Sequence, residues 1–448
     1  MEKLRRVVKE IAYVQDYTKL STLHQSLIPI LSLASSLYRV VLSIRHYLYH
    51  FGFFSKHRLP VPVISVGNLT WGGNGKTPMV EFISSWLADS GISPLILTRG
   101  YAGGDEARML TRHLRGKAVK IGVGANRAAT AACFFKRHGY VDPRDYLAEG
   151  KWHEQKEGSW INSRKVGVVV LDDGMQHWSL QRDIEIVMVN GLTPWGNHQI
   201  LPLGPLREPL TALGRADVVV IHHANLVSEH NLRDIKLMMR EVKKSLRIFF
   251  TRMSPSHFFE VGNINTRIPL DILCNGVVLC VSAIGSANAF VQGIKKMGTL
   301  YVDRLDFSDH HSLQDTDIEI IRMKLKELEE KFGSMPVVVV TEKDYDRDPE
   351  ILRHLSPCKV MALCSELQII PCRDNGDDDF KKLLKELVEL FTYRKPSFTF
   401  IWNRVHSFLN CGIFPLPSIP LPLWPQHCLL NFSNCFRSLQ KIHDGKPL

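Results

Sequence analysis

One segment constrains the fold of this chain more than any other: Ser65 to Leu87, SVGNLTWGGNGKTPMVEFISSWL. The apolar, β-branched run Val61 to Val66 leads into it and predicts a buried strand. Lys76 and Thr77 follow the glycines, and apolar side chains then recur at helical spacing. A strand, a glycine-rich loop and a helix start in this order form a phosphate cradle, because the loop N–H groups and the helix N-terminus both direct positive charge at an anion.

The loop fits the P-loop pattern G-x-x-x-x-G-K-[ST] with one departure, because Thr70 occupies the first glycine position of TWGGNGKT. We expect Lys76 to reach the β- and γ-phosphates of a nucleotide and Thr77 to hold magnesium. The residues expected to cradle the nucleotide are Gly72, Gly73, Asn74, Gly75, Lys76 and Thr77. A glycine-rich turn that binds nothing remains the alternative at this point.

Two acidic residues after a second apolar run predict another element of a phosphate site. Asp172 and Asp173 come directly after the predicted strand Val166 to Leu171, in VGVVVLDDGMQH. A carboxylate at the carboxyl end of such a strand can hold magnesium or a water bound to it. Adjacent acids also occur as plain strand terminators, which is the competing interpretation.

Apolar runs alternate with helical or loop stretches along the rest of the chain, which predicts an α/β fold with a parallel sheet wrapped by helices. Further strands are expected at Leu95 to Thr98, Ile184 to Val189, Val218 to Ile221, Val277 to Val281, Leu300 to Val302 and Val337 to Val340. A helix is expected from Ile318 to Phe332, between the last two of these strands, and Gly333 is expected to end it. Periodicity is lost between residues 250 and 265, which predicts a domain boundary there.

The net charge of +11 is concentrated at the two ends of the chain. Residues 1–60 carry nine Lys or Arg against three acids, and residues 391–448 carry six against one, so the part between them is neutral. A neutral middle without a basic, base-reading helix argues against nucleic-acid binding. A basic N-terminus beside an apolar run suits an anionic membrane surface instead.

The apolar run from Leu27 to Ile44 is near the lower length limit for a membrane span and contains Pro29 and Arg39. We expect it to cross, enter or lie on a bilayer, with an ordinary buried helix as the alternative. The apolar residues ahead of it, at helical spacing among basic ones, are compatible with an organelle-targeting helix.

Seven motifs along the chain carry a resemblance to a known family: VPVISVGNLTWGGNGKTP, LTRGYAGGDE, GANRAA, LDDGMQHWSLQRDIEIVMVNG, LPLGPLREPL, DFSDHH and TEKDYDRDP. In this order they resemble the tetraacyldisaccharide 4'-kinase family, the kinases of lipid A synthesis, from about Leu27 to Ile370. The resemblance implies transfer of the γ-phosphate of ATP, with Mg²⁺, to the 4'-hydroxyl of a tetraacylated glucosamine disaccharide 1-phosphate. The product would be lipid IVA, formed at a membrane surface.

The resemblance also implies a P-loop NTPase-type parallel sheet core with a smaller C-terminal α/β domain and an active site between them. The predicted domains are targeting or membrane-associated helices (1–58), a P-loop kinase core (59–255), the smaller α/β domain (256–395) and a disordered tail (396–448). The residues between 142 and 165 are expected to form an exposed insertion. The long leader and the tail favour a mitochondrial member in a eukaryote; in a bacterium the location would be the cytoplasmic face of the inner membrane.

The family's motifs assign candidate site residues. Asp105 in GGDE and His310 in FSDH match its catalytic acid and histidine, although Ala107 stands where the family usually has proline. Lys76 completes the predicted catalytic set. Arg207 and Glu208 in GPLREPL look like cleft residues for nucleotide charge and for magnesium. The predicted metal ligands are therefore Thr77, Asp172, Asp173 and Glu208.

Several further residues are candidates with open roles. Arg99 and Arg127 suit a phosphate of the lipid or of ATP, or a structural ion pair. Gln176 and His177 follow the acid pair, and Lys343 faces the cleft or pairs with an acid.

Two other classes of protein remain open, and so does the oligomeric state. A GGxGKT-type nucleotide-switch ATPase at a membrane is the first, although Trp71 occupies the place of its signature lysine. A catalytically inactive membrane scaffold is the second.

Overall fold

The described residues of this computed structural model, 2–100, 104–142, 165–372 and 376–393, form eleven α-helices and twelve strands. The helices are α1 (Glu2–Tyr13), α2 (Thr22–His50), α3 (Lys76–Asp89), α4 (Asp105–His113), α5 (Arg127–His138), α6 (Glu229–Val242), α7 (Ala287–Lys295), α8 (Asp315–Phe332), α9 (Glu342–Arg347), α10 (Pro349–Arg353) and α11 (Asp377–Tyr393). The strands are β1 (Val63–Asn68), β2 (Pro94–Thr98), β3 (Lys120–Val123), β4 (Val168–Asp172), β5 (Ile184–Asn190), β6 (Val218–His222), β7 (Arg247–Glu260), β8 (Asn263–Ile268), β9 (Val277–Ser282), β10 (Tyr301–Asp306), β11 (Val337–Thr341) and β12 (Val360–Ile369). Most of the predicted insertion and the predicted tail lie outside the described residues.

All twelve strands belong to one sheet, in the order β10-β9-β11-β12-β7-β6-β5-β1-β4-β2-β3, with β8 paired to β7. The strands from β7 to β3 are parallel to one another, and so are those from β10 to β12. The two sets meet where β12 pairs antiparallel with β7. A buried parallel sheet requires apolar residues on both faces of each strand, which is why β1, β2, β4, β5 and β6 are buried throughout.

The long strand β7 explains how the two sets of strands face each other. Its first residues, Arg247–Thr251, pair with β6, and the strand then continues past the end of β6 while pairing with β12. Because β12 and its parallel neighbours run back along β7, their carboxyl ends point toward the carboxyl ends of the first set. Loops from both sets therefore meet in one cleft, as ligand-binding loops do at the strand ends of open α/β sheets.

The predicted division at 255/256 falls inside β7, so the sheet itself is continuous there. Residues 1–393 form one compact unit, and α11, which lies in the predicted second domain, packs on the first set of strands. Phe380 is fully buried against Phe82 of α3 and Phe249 of β7. Burial of one such aromatic side chain stabilises the fold by about 1.5–3 kcal/mol. The four-part domain division remains a prediction.

Most predicted elements are confirmed. Each of the predicted strands is present, within three residues at either end in most cases, and Gly333 ends α8 in the left-handed conformation. The region near 250–265, where the sequence loses clear periodicity, forms the β7–β8 hairpin. The strands β3, β7, β8 and β12 were not predicted.

Among the described residues, one helix is long and apolar enough to cross a membrane, α2. The alternative of an ordinary buried helix is excluded, because Ser35 is its one buried residue. Its attachment to the rest of the protein is apolar at Leu42, which packs on a core cluster, and polar elsewhere. Ser35 donates to the carbonyl of Ile200, Tyr38 to that of Arg207 and Arg45 to that of Gln176.

Candidate active site

The predicted P-loop links the end of β1 to the start of α3. Gly75 precedes the helix in the left-handed conformation, with φ 78°, so it opens the first turn without a side chain in the way. Asn74 is buried and ties the loop together by donating to the carbonyls of Thr70 and Gly72. The ring of His222, at the end of β6, packs directly beneath the loop.

Replacing Gly75 with Ala is expected to distort the loop and to weaken nucleotide binding. A Cβ at this position would lie 2.6 Å from Cδ2 of the buried His222, and the positive φ adds strain of about 1–2 kcal/mol. Nucleotide affinity and the urea unfolding curve would be measured together. Gly214→Ala is the matched control, because nothing lies within 4 Å of a Cβ there. Equal behaviour of the two variants would contradict this description of the loop.

The P-loop lysine lies in a charged cluster at the carboxyl ends of β1 and β4. Lys76 Nζ is 3.0 Å from Asp173 Oδ1 and donates to Asn68 Oδ1 over 3.2 Å. Arg207 Nη1 donates to both oxygens of Asp173, at 2.8 and 2.9 Å. Burial lowers the pKa of Lys76, whereas the two cations more than offset the effect of burial on Asp173 and lower its pKa. The cluster therefore brings together three of the predicted residues in their charged forms.

The neighbouring Asp172 has a different environment. It is buried, and its Oδ1 has no hydrogen-bond partner among the described residues. Burial, together with the charge of Glu106, raises its pKa to about 6. Two adjacent carboxylates thus differ in environment: Asp173 is paired with two cations, and Asp172 has a buried oxygen without a partner among the described residues.

Other predicted residues of this cluster have partners that the sequence did not indicate. Glu208 is buried and lies 2.8 Å from Arg215, whose guanidinium stacks over Trp178. Arg127 is buried and donates to the backbone carbonyls of Asp172 and Asp173, so it fixes the acid-bearing turn.

The remaining candidates next to the acid pair are Gln176 and His177. Gln176 donates to the carbonyl of Asn68, which attaches this turn to the end of β1. Burial and the nearby charges of Arg127, Arg182 and Arg99 lower the pKa of His177 to about 4, so its imidazole is neutral. Arg99 thus lies near the same turn.

The predicted catalytic pair is formed across the cleft. Asp105 begins α4 after β2, and His310 follows β10 in the second set of strands, yet His310 Nδ1 lies 3.2 Å from Asp105 Oδ2. Lys343 Nζ lies 3.4 Å from His310 Nε2. Because an ammonium has only donors, we assign the acceptor to Nε2 and the proton to Nδ1, which then donates to Asp105.

The charge of this pair is set by its surroundings. Burial alone would raise the pKa of Asp105, but the hydrogen bond from His310 and the charge of Lys343 outweigh it and lower the pKa. Asp105 Oδ1 accepts the N–H of Glu106, and the side chain of Glu106 also hydrogen-bonds to the Asp105 carboxyl. Lys343 itself is 3.2 Å from Glu106, so it both faces the cleft and pairs with an acid. Asp105 is therefore an ionised, oriented carboxylate.

A short segment of the second set of strands joins the pair to the P-loop. Ala283, after β9, accepts the N–H of His310. Three residues further on, Ser286 donates to the carbonyl of Gly73 over 2.7 Å, and Asn190 donates to the same carbonyl. The contact is close, because a Cβ on Gly285 would lie 2.0 Å from the nitrogen of Gly73. The P-loop and the Asp105–His310 pair are thus two walls of one cleft.

A P-loop with its lysine, an acid pair on the next strand and a carboxylate–histidine pair facing them define a P-loop phosphotransferase. Comparisons with known proteins agree. A family model described as Tetraacyldisaccharide-1-P 4'-kinase matches residues 27–388. The chain belongs to this family.

Individual relatives give the same result. The chain is 57% identical over 392 residues to "Probable tetraacyldisaccharide 4'-kinase, mitochondrial" of Arabidopsis thaliana, a match that covers 87% of this chain and 99% of that protein. It is 31% identical over 361 residues to the tetraacyldisaccharide 4'-kinase of Chlorobaculum parvum, covering 80% and 94% of the two chains. The solved structure of the "apo" form of LpxK from Aquifex aeolicus in complex with ATP is similar in fold. Its TM-score is 0.53 at 24% identity, and the match covers 82% of this chain and all of that one. The predicted fold class is confirmed.

Proposed function

We propose that this chain transfers the γ-phosphate of ATP to the 4'-hydroxyl of a tetraacylated glucosamine disaccharide 1-phosphate, forming lipid IVA. The observation that carries the proposal is the cleft in which the P-loop of one set of strands faces the Asp105–His310 pair. A kinase needs these two elements at once: one holds the phosphate donor, and the other prepares the hydroxyl. Membership of the family supports the identity of the acceptor.

The nucleotide would lie on the P-loop. Backbone N–H groups from Gly72 to Thr77 would cradle its phosphates, and Lys76 and Arg207 would neutralise the charge that moves during transfer. Asp173 holds both cations in place now, at 3.0 Å from Lys76 and 2.8 Å from Arg207. Phosphoryl transfer depends mostly on such positioning and charge stabilisation, because the transition state is loose.

The residues present fit a magnesium ion. Asp172 supplies a buried oxygen without a partner among the described residues, and Thr77 supplies a hydroxyl in the first turn of α3. These two would hold the ion. Asp173 fits less well, because both of its oxygens accept from an arginine. Glu208 is bound by an arginine through Oε2, whereas its buried Oε1 has no partner among the described residues. Bound magnesium would neutralise charge on the phosphate oxygens.

Asp105 would act on the acceptor. A secondary alcohol is a poor nucleophile, so a carboxylate that orients the hydroxyl and accepts its proton is useful. Oδ1 of Asp105 would accept that proton, while Oδ2 is held by His310. His310 would keep the carboxylate ionised and fixed in direction.

A lipid substrate requires the enzyme to bind a membrane surface, and the exposed apolar face of α2 is suited to do so. Large apolar side chains recur every three or four residues along its exposed face: Ile30, Leu33, Leu37, Val40, Ile44 and Tyr47. Its opposite face is attached to the protein through Ser35 and Tyr38. A helix bound along one side is suited to lie in the membrane interface and not to cross the bilayer. We propose this arrangement at a mitochondrial membrane, as the name of the Arabidopsis relative supports.

Leu37→Glu is expected to reduce binding to vesicles and, with it, activity on lipid presented in vesicles. The side chain is 61% exposed in the apolar stripe of α2, so a charge there opposes insertion without disturbing the fold. Leu237→Glu on α6 is the matched control, since that leucine is also 61% exposed. Co-sedimentation with vesicles containing anionic lipid measures the effect. If both variants bind equally well, α2 is not the membrane-binding element.

Transfer of labelled γ-phosphate from ATP to tetraacyldisaccharide 1-phosphate in detergent micelles tests the proposed reaction. The expected result is a labelled lipid whose phosphate is at the 4'-position. ATP hydrolysis without labelled lipid would contradict the proposal.

A further inference from the structure

Two helices from opposite sides of the cleft are joined by buried charges. α4 carries Asp105, and α9 follows β11 in the second set of strands. Arg112 of α4 lies 2.9 Å from Glu342 and 2.7 Å from Asp346 of α9. These contacts hold the last turn of α4 against α9.

Arg347, the last residue of α9, differs from the rest of this network because it contacts Asp105 itself. Its Nη2 lies 3.0 Å from Asp105 Oδ2, the oxygen that also accepts from His310. Both residues are buried. Arg347 lies in the motif TEKDYDRDP, but the sequence does not indicate its contact with Asp105, which is 242 residues away along the chain.

Both terminal nitrogens of the Arg347 guanidinium are held by hydrogen bonds. Nη1 donates to Asp344 over 2.9 Å and to the carbonyl of His311 over 3.0 Å, and Nη2 also donates to the carbonyl of Ala283. The same Ala283 carbonyl accepts the N–H of His310. One planar fork therefore touches the carboxylate of the pair and the backbone on which the histidine sits.

We propose that Arg347 is a positioning residue for the Asp105–His310 pair: it fixes the direction of the Asp105 carboxylate toward the acceptor hydroxyl. The inference rests on the proposed function. The alternative is that Arg347 only stabilises the contact between α9 and α4. Arg112 provides the comparison, because it is a half-buried arginine in the same contact that binds Glu342 and Asp346 and not Asp105.

The test compares Arg347→Gln, Arg347→Lys and Arg112→Gln in full-length protein, with the labelled-phosphate transfer assay, ATP affinity and thermal unfolding. We expect Arg347→Gln to lower kcat by about 10²-fold, as a misplaced catalytic group does, with ATP affinity unchanged. Arg347→Lys keeps the charge and is expected to recover part of the loss. Arg112→Gln is expected to lower the unfolding temperature while keeping kcat within a few-fold of wild type.

A second readout separates positioning from stability. If Arg347 acts through Asp105, adding Arg347→Gln to Asp105→Asn lowers kcat no further, because Asp105→Asn has already removed the carboxylate that Arg347 orients. If Arg347→Gln does not fold, Arg347→Lys decides: we expect its kcat to fall by at least about tenfold while Arg112→Lys stays at the wild-type value, since lysine lacks the planar fork.

The outcomes distinguish the two proposals. A wild-type chain that transfers phosphate while the folded Arg347 variants keep its kcat would overturn the inference about Arg347 alone. Equal losses of kcat in the Arg347 and Arg112 variants would do the same. A wild-type chain that labels no lipid would overturn the proposed function and, with it, this inference.

Discussion

Asp105→Asn is expected to abolish almost all phosphate transfer to the lipid while leaving ATP binding intact. The amide has nearly the same shape and can still accept hydrogen bonds through its oxygen, but it cannot take the proton of the hydroxyl. Loss of a general base typically costs about 10²–10⁴-fold in rate. In this protein the loss should lie toward the upper end, since His310 and Arg347 both orient the carboxylate.

The measurement is kcat for labelled-lipid formation, with nucleotide affinity determined on the same preparation. Asp89→Asn is a suitable control, because that exposed acid on α3 pairs with Lys117. Transfer by Asp105→Asn within tenfold of wild type would remove Asp105 from the mechanism. Loss of nucleotide binding together with transfer would instead indicate that the variant disturbs the cleft.

Lys76→Ala is expected to abolish phosphate transfer to the lipid by disrupting the nucleotide half of the site. The ammonium would contact the phosphates, and a donor aimed at developing charge typically contributes about 10²–10³-fold in rate. The change also leaves Asp173 with Arg207 as its remaining close cation, so repulsion of the nucleotide phosphates increases. Unlike Asp105→Asn, this variant should therefore lose both ATP affinity and transfer.

Equilibrium binding of a labelled nucleotide, followed by the transfer assay, checks this expectation. Lys117→Ala is the control, because that exposed lysine pairs with Asp89 away from the P-loop. Full nucleotide affinity and full transfer in Lys76→Ala would contradict the assignment of the loop as the nucleotide site.

The two variants also separate the alternative protein classes. A nucleotide-switch ATPase would lose hydrolysis in Lys76→Ala but would never label the lipid. An inactive scaffold would bind no nucleotide at all. The Asp105–His310 pair opposite the P-loop favours a kinase over both, because neither alternative needs a carboxylate prepared to accept a proton.

The nucleotide half of the cleft could be predicted from local sequence. β1, the glycine loop and α3 are consecutive in the chain, so one motif carries the whole element, and Asp172 ends an apolar run as an acid at a parallel strand end does. The spacing of apolar residues did not predict β7, and the reason is physical. This strand is buried on both faces where it pairs with β6 and partly exposed farther on, so no single period describes it.

The contacts between the two sets of strands could not be read from the sequence. The Asp105–His310 pair came from family resemblance, and the structure brings the two side chains together across 205 residues. Ser286, which contacts the P-loop, belongs to a short loop, and Arg347, which contacts Asp105, belongs to a six-residue helix. Neither element is long enough to show a periodicity in the sequence. Glu208 shows the converse: its position in a motif predicted a metal ligand, whereas its observed partner is Arg215. Its role as a ligand stays a prediction.

The kinase reaction is tested most directly by transfer of labelled γ-phosphate from ATP to tetraacyldisaccharide 1-phosphate, followed by mapping of the labelled position. The wild type is compared with Lys76→Ala, Asp105→Asn and His310→Ala. We expect 4'-phosphorylated lipid from the wild type, and strongly reduced label from all three variants. ATP turnover by the wild type without labelled lipid, lost only in Lys76→Ala, would contradict the account and identify the cleft as a nucleotide-hydrolysis site.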